Sequence, residues 1–151
     1  MLPGRTSGGA IVTRATEIAI AKALGWRAVE VDPSAVFRDV DKHWFLYDAS
    51  GTVRASWRAS EAAAWARVPH WSTSAAACFS KDGLVALLIG QRFGVWLLNP
   101  NAGLAEGRWS ARVFEQTMIR ARVGEAYADT ITLAVATAAA LALGVAEGAT
   151  A

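Results

Sequence analysis

The apolar and polar positions along this chain change period several times, and each change predicts an element. Between Thr13 and Leu24, Ile18, Ala21 and Leu24 share one face of a helix that Gly25 stops. Trp26 follows at once and is expected to fold back over that helix end. Val29 and Val31 alternate with Glu30 and Asp32 as a short strand does, up to Pro33. His43-Trp44-Phe45-Leu46-Tyr47 and Thr52-Val53-Arg54 then flank Asp48-Ala49-Ser50-Gly51, a hairpin signature with glycine in its turn.

Ser60 to Ala66 reads as a short helix, with Ser60 as N-cap and Glu61 near the positive end of the dipole. Pro69 fixes its own φ and biases Val68 towards an extended backbone. A second short helix is expected from Ser74 to Lys81, closed by Gly83. Leu84 to Ile89 and Phe93 to Leu98 are apolar runs around Gly90-Gln91-Arg92, which predicts two strands and a second hairpin. Asn99-Pro100-Asn101-Ala102-Gly103 is a turn cluster, and Trp109 to Val123 fits one long strand or a bent pair. The last helix is expected to start near Asp129 as its cap and to run to Gly144. The predicted fold is α+β: an antiparallel sheet packed by N-terminal, central and C-terminal helices, sandwich-like. One domain is expected over residues 13–144, with flexible tails at 1–12 and 145–151.

Composition narrows the partners. The chain has 151 residues, 54% hydrophobic and 19% charged, which excludes global disorder. A net charge of +2 promises little affinity for long nucleic acid. Lysine is confined to Lys22, Lys42 and Lys81, so arginine carries most of the positive charge and favours planar anionic partners. The single Cys78 excludes an internal disulfide and fits a reducing cytoplasm. Met1 to Ala10 lacks the apolar core of a signal peptide. The uncharged run Ile131 to Ala146 is shorter than the ~20 residues of a spanning helix, so no membrane contact is expected.

Three blocks in order resemble a known family. They are Ile18-Ala19-Ile20-Ala21-Lys22-Ala23-Leu24-Gly25-Trp26, then Val68-Pro69-His70-Trp71-Ser72-Thr73-Ser74-Ala75-Ala76-Ala77, then Ala128-Asp129-Thr130 leading into Leu133 to Leu141. The chain is similar in these to the phage alpha-beta-alpha sandwich domain family, small phage and prophage proteins without a settled activity. It departs from the family pattern at Ala77-Cys78-Phe79, where a large helical residue is usual, and at residues 54–67, which look like an insertion. The resemblance implies a sheet covered by helices in a phage-encoded protein, and it carries no catalytic residues across.

Candidate chemistry is sparse. No phosphate-loop, dinucleotide or zinc-protease motif occurs. Asp39, Asp41 and His43 alternate and could face a metal, but exposed charge at a strand start is the simpler reading. Cys78 with His70 is the one nucleophile–base pair to consider, and a helix-borne Cys among alanines is usually inert packing. No enzyme activity, metal or cofactor is expected. The positive signal combines Trp57-Arg58, His70-Trp71-Ser72-Thr73-Ser74, and Arg120 with Arg122. These supply stacking faces, helix-start donors and guanidinium forks, the parts that hold a small anionic molecule bearing a base. Equally, Trp71 can plug the core while the hydroxyls cap and the arginines line a solvated strand. The favoured function is sequestration of a small anionic host molecule, such as a nucleotide immune signal, as an anti-defence sponge. The alternative is an interaction module that inhibits a host protein. The all-round apolar helix Ile131–Ala146 suggests a homo-oligomer through one of its faces.

Overall fold

The computed structural model describes residues 5–6, 12–31, 43–100, 108–116 and 121–145. Along the chain these form β1 (Arg5–Thr6), α1 (Arg14–Ala23), β2 (Arg27–Val31), β3 (His43–Tyr47), β4 (Val53–Arg58) and α2 (Glu61–Trp65). There follow α3 (Ala75–Phe79), α4 (Leu84–Gly90), β5 (Phe93–Leu98), β6 (Trp109–Glu115), β7 (Val123–Ala128) and α5 (Ile131–Ala142). The fold is α+β, with helices on mainly antiparallel strands. The strands make two sheets rather than one, in the orders β1-β7-β6-β5 and β2-β3-β4. The chain divides into two compact units, Met1–Ile20 with His70–Ala151, and Ala21–Pro69.

In the first unit, β5, β6 and β7 are antiparallel, and Arg5–Thr6, placed in a tail by the sequence, pairs parallel with Glu125–Ala126. Helix α5 lies on β6 and β7. Its cap is Thr130, whose hydroxyl accepts from Leu133 N–H, one residue beyond the expected Asp129. The contact is thin, because alanines of the helix meet Ala111, Ala126 and Ala128 of the sheet, all buried. Gly124 is where they come closest: a Cβ there would stand 2.5 Å from Ala142 N and overlap the Ala138 carbonyl. On the two stripes of α5, Val135 and Ala138 on one and Ala136 and Ala140 on the other are fully buried, while Ile131, Leu133, Leu143 and Val145 are half-buried.

One expected strand needs correction, while Phe93–Leu98 is a strand as expected. Leu84–Gly90 is helix α4, so no hairpin joins it to β5. Leu84 and Leu88, four residues apart, are both fully buried, which is a helical face inside a run too apolar to show its period. Gly90-Gln91-Arg92 is a helix-to-strand turn in which Arg92 takes φ +67°. Helix α3 ends at Phe79, with Ser80 as its C-cap rather than Gly83. The stretch Trp109–Val123 contains β6 and the first residue of β7, and residues 117–120 lie outside the described set.

In the second unit, the expected hairpin is β3–β4, with Tyr47 opposite Val53. Helix α2 lies on the three strands, capped as expected by Ser60, which accepts from Ala63 N–H. Leu46, Ala55, Ala64 and Trp65 form the buried layer. Gly25 ends α1 at φ +95°, and Trp26 N–H turns back to the Ala21 carbonyl at 3.0 Å, as the sequence suggests. Among the described residues no helix is long and apolar enough to cross a membrane.

Gly124→Ala is expected to destabilise the protein by about 1–3 kcal/mol, since backbone atoms of α5 cannot yield as a side chain would. A thermal melt showing no loss would mean that the helix can lift off β7 freely.

Candidate functional site

The block around Trp71 serves the fold. Trp71 is fully buried. The Ser72 N–H and hydroxyl donate to Glu17 Oε2 at 2.9 and 3.1 Å, while Arg14 Nη1 donates to Glu17 Oε1 at 2.7 Å. The Ser72 carbonyl accepts from Thr132 Oγ1 at 2.9 Å. Ser74 caps α3 by accepting from Ala77 N–H, and the N–H groups of Thr73 and Ser74 both go to the His70 carbonyl. His70 and Thr73 are exposed. The donors of Ser72 that suit an external anion thus hold an internal carboxylate.

The other candidates fall elsewhere. Arg122 donates to Glu115 Oε2 through Nε at 2.8 Å and lies 5.1 Å from the Phe93 ring centre, so its charge is partnered on the sheet. Arg120, Asp39 and Asp41 lie outside the described residues. His43 sits on β3 against Trp57, and no group of three potential metal ligands occurs among the described residues. Cys78 is buried, and burial pushes its thiol up to about 12, far from a nucleophilic thiolate.

Trp57 and Arg58 belong to the three-stranded sheet β2-β3-β4, whose open face carries the most distinctive chemistry. His43, Phe45 and Tyr47 alternate with the buried Leu46 and so share the opposite face of β3. Opposite them on β2 stand Val31, Val29 and Arg27. On β4 the register slips: Trp44 pairs with Arg58 but Leu46 with Ala55, so Ser56 and Trp57 together oppose Phe45. A second slip leaves Arg54 unopposed between Leu46–Ala55 and Tyr47–Val53. Such bulges bend a strand and re-aim its side chains. Trp57 adopts φ +57°, a left-handed conformation that is rare and costly for a large L residue.

The result is a continuous aromatic row. Trp57 meets Phe45 edge-on at 5.0 Å and His43 at 5.6 Å, and Phe45 stacks on Tyr47 at 6.2 Å. The Arg27 guanidinium lies 5.4 Å from the Tyr47 ring centre at the end of the row. Trp57 remains 55% exposed. Arg58 follows the bulge, and its buried Nε has no hydrogen-bond partner among the described residues.

The hairpin turn braces this sheet. Asp48 is buried and accepts from Ser50 N–H, Ser50 Oγ, Thr52 N–H and Arg54 Nε at 2.6–3.0 Å. Arg54 also lies 5.0 Å from the Trp26 ring centre. Burial pushes the Asp48 carboxyl up, but the bonds from Ser50, Arg54 and Thr52 outweigh it and hold the group below its ordinary value of 3.8.

Composition flags both Trp57 and Trp71 as candidate stacking residues, and only the structure separates an exposed ring from a buried one. Sequence reasoning overlooked Phe45, Tyr47 and Arg27; the alternation in His43–Tyr47 was the available signal. Comparison with protein-family models, curated proteins and solved structures gave no match.

Glu17→Ala strands the Ser72 donors and is expected to cost about 1–3 kcal/mol in urea unfolding, with Glu17→Gln losing less because it keeps an acceptor. For Asp48→Asn the sign follows from its lowered pKa. The carboxylate's contribution is present above about pH 4 and is lost as pH falls through the folded value. Wild type should therefore exceed the variant in stability at pH 7, with the gap closing on acidification. A gap independent of pH would refute the role given to the charge.

Proposed function

We propose that this chain is a non-enzymatic binding protein that holds a small anionic molecule with a flat ring, of which a nucleotide is the best-fitting class, on the Trp57 face of β2-β3-β4. The carrying observation is the half-open Trp57 ring held on a bulge beside His43 and Phe45. A sheet face of this kind offers stacking area at low entropic cost, and a base has a π-face whatever its sequence identity. Arg27, exposed at the end of the row, supplies the guanidinium for the charge. Ser72 has no part in this site, because Glu17 already occupies its donors.

From the three sequence blocks alone we further infer a phage-encoded protein that acts in the host cytoplasm. Removal of a nucleotide immune signal is the activity we infer there. The second reading, an interaction module that inhibits a host protein, draws on the same exposed aromatic row and differs in its ligand.

A thermal-shift series with cyclic and linear nucleotides tests the first reading, since a ligand well above its dissociation constant raises the melting temperature. Trp57→Gly separates binding from folding: glycine accepts φ +57° without strain, so stability should hold or rise. Nucleotide affinity should fall roughly 5- to 150-fold, the ~1–3 kcal/mol of a lost stacking contact. A panel in which no nucleotide shifts the melt, or unchanged affinity in Trp57→Gly, overturns the proposal.

A further inference from the structure

The first unit carries a surface that the proposed nucleotide site does not use. β5 is the last strand of the order β1-β7-β6-β5, and no strand flanks its outer side among the described residues. Its sequence, Phe93-Gly94-Val95-Trp96-Leu97-Leu98, has no charge, no proline and no bulge against β6. Natural edge strands are normally protected by one of these devices, because unpaired N–H and C=O groups invite another strand. Here the opposite holds. Trp96 is 65% exposed, and Leu97 and Leu98 on successive faces are each 38% exposed.

The faces are set by register. Trp96 lies opposite Arg112, and Gly94 opposite Phe114, on the face away from α5. A Cβ at Gly94 would stand 2.6 Å from Phe114 Cε2, so the glycine makes room for that ring, which meets Trp96 edge-on at 6.4 Å. Beside them is an open cavity of about 330 Å³ lined by Trp96, Arg112, Phe114, Glu115, Ala121 and Val123.

We propose that β5 pairs antiparallel with β5 of a second copy of this chain about a twofold axis at Trp96, joining two sheets into one. Three features select a second copy. The strand is neutral, so pairing with itself opposes no like charges. The register centred on Trp96 sets every residue from 94 to 98 against an apolar or glycine partner: Trp96 against itself, Val95 against Leu97, Gly94 against Leu98. Arg92 falls opposite Pro100 and so meets no second cation. This register also keeps the faces matched: both α5 helices lie on one face of the joined sheet, and on the other the two Trp96 rings cover each other beside the cavity.

Light scattering of the whole chain from about 5 to 200 µM, which brackets dissociation constants in the micromolar range, tests it. The expected result is a species of twice 16.0 kDa that Trp96→Lys converts to 16.0 kDa. Trp96 is mostly exposed, so the variant should fold, and an unchanged circular dichroism spectrum and melt below the dimer range check this. Trp96→Cys should form a covalent dimer on mild oxidation, because the twofold places the two thiols opposite each other. A 16.0 kDa species at every concentration, a dimer that survives Trp96→Lys, or capture of only an unrelated protein's strand by a monomer would each overturn it. Nucleotide binding through Trp57 is read in separate variants, so either proposal can fail alone.

Discussion

The Glu17 carboxylate is the joint on which the larger unit turns. An ionised carboxylate taken out of water costs several kcal/mol unless its lone pairs are met. Here Arg14 takes one oxygen, and the backbone N–H and hydroxyl of Ser72 take the other. These are charge-assisted bonds, stronger than neutral ones. They hold α1 against a turn 55 residues away in sequence. Because the same Ser72 accepts from Thr132 through its carbonyl, the start of α5 is tied to that turn as well. Helix α5 then lies on β6 and β7, with Gly124 at the point of closest approach. Loss of the carboxylate would loosen a turn, a helix start and the sheet beneath it in sequence.

Each sheet then meets water in the same unusual way. A one-sided antiparallel sheet ordinarily alternates apolar residues inward with polar residues outward. In β5-β6-β7 the covered face carries mainly alanine and valine, with Phe93 buried at its end, while Trp96 and Phe114 stand on the open face. In β2-β3-β4, Leu46 and Ala55 are buried while His43, Phe45, Tyr47 and Trp57 form the open face. Large rings thus stand on the water-facing side of both sheets, opposite layers that contain many small residues. Thin buried layers let helices approach closely, and they leave the aromatic area for use at the surface.

What the sequence disclosed follows from the range of each interaction. Local signals read correctly: Ser60 is a cap, one of the hydroxyls of Ser72–Ser74 (Ser74) caps α3, Gly25 ends α1, and Asp48–Gly51 turns the β3–β4 hairpin. Leu84–Gly90 misled, because an apolar run of that length satisfies a buried strand and a short buried helix alike. The Glu17–Ser72 pair could not be read, since nothing local marks a glutamate on an amphipathic helix as the ligand of a distant turn. That pair also explains why the anion site expected at Ser72 is filled from within. The aromatic row was half legible: alternation in His43–Tyr47 gives the face, but the slip that adds Trp57 to it lies in the pairing of β4 and has no signature in its residues.

Trp57 shows where the requirements of folding end. A left-handed backbone costs a large L residue about 1–2 kcal/mol. Its two edge-on ring contacts return about 0.5–1.5 kcal/mol each. The balance lies near zero, and over half of the ring still faces water. Trp71 stands in contrast, because a fully buried tryptophan is worth about 3–5 kcal/mol to the core and needs no other reason to be there. At position 57 a glycine or asparagine would take the same backbone without strain, so stability alone does not select tryptophan. Strained residues of this kind persist where the surrounding structure fixes them and a use repays them. The bulge, the strain and the exposed ring coincide on one face, and the binding proposed for that face would give all three a use.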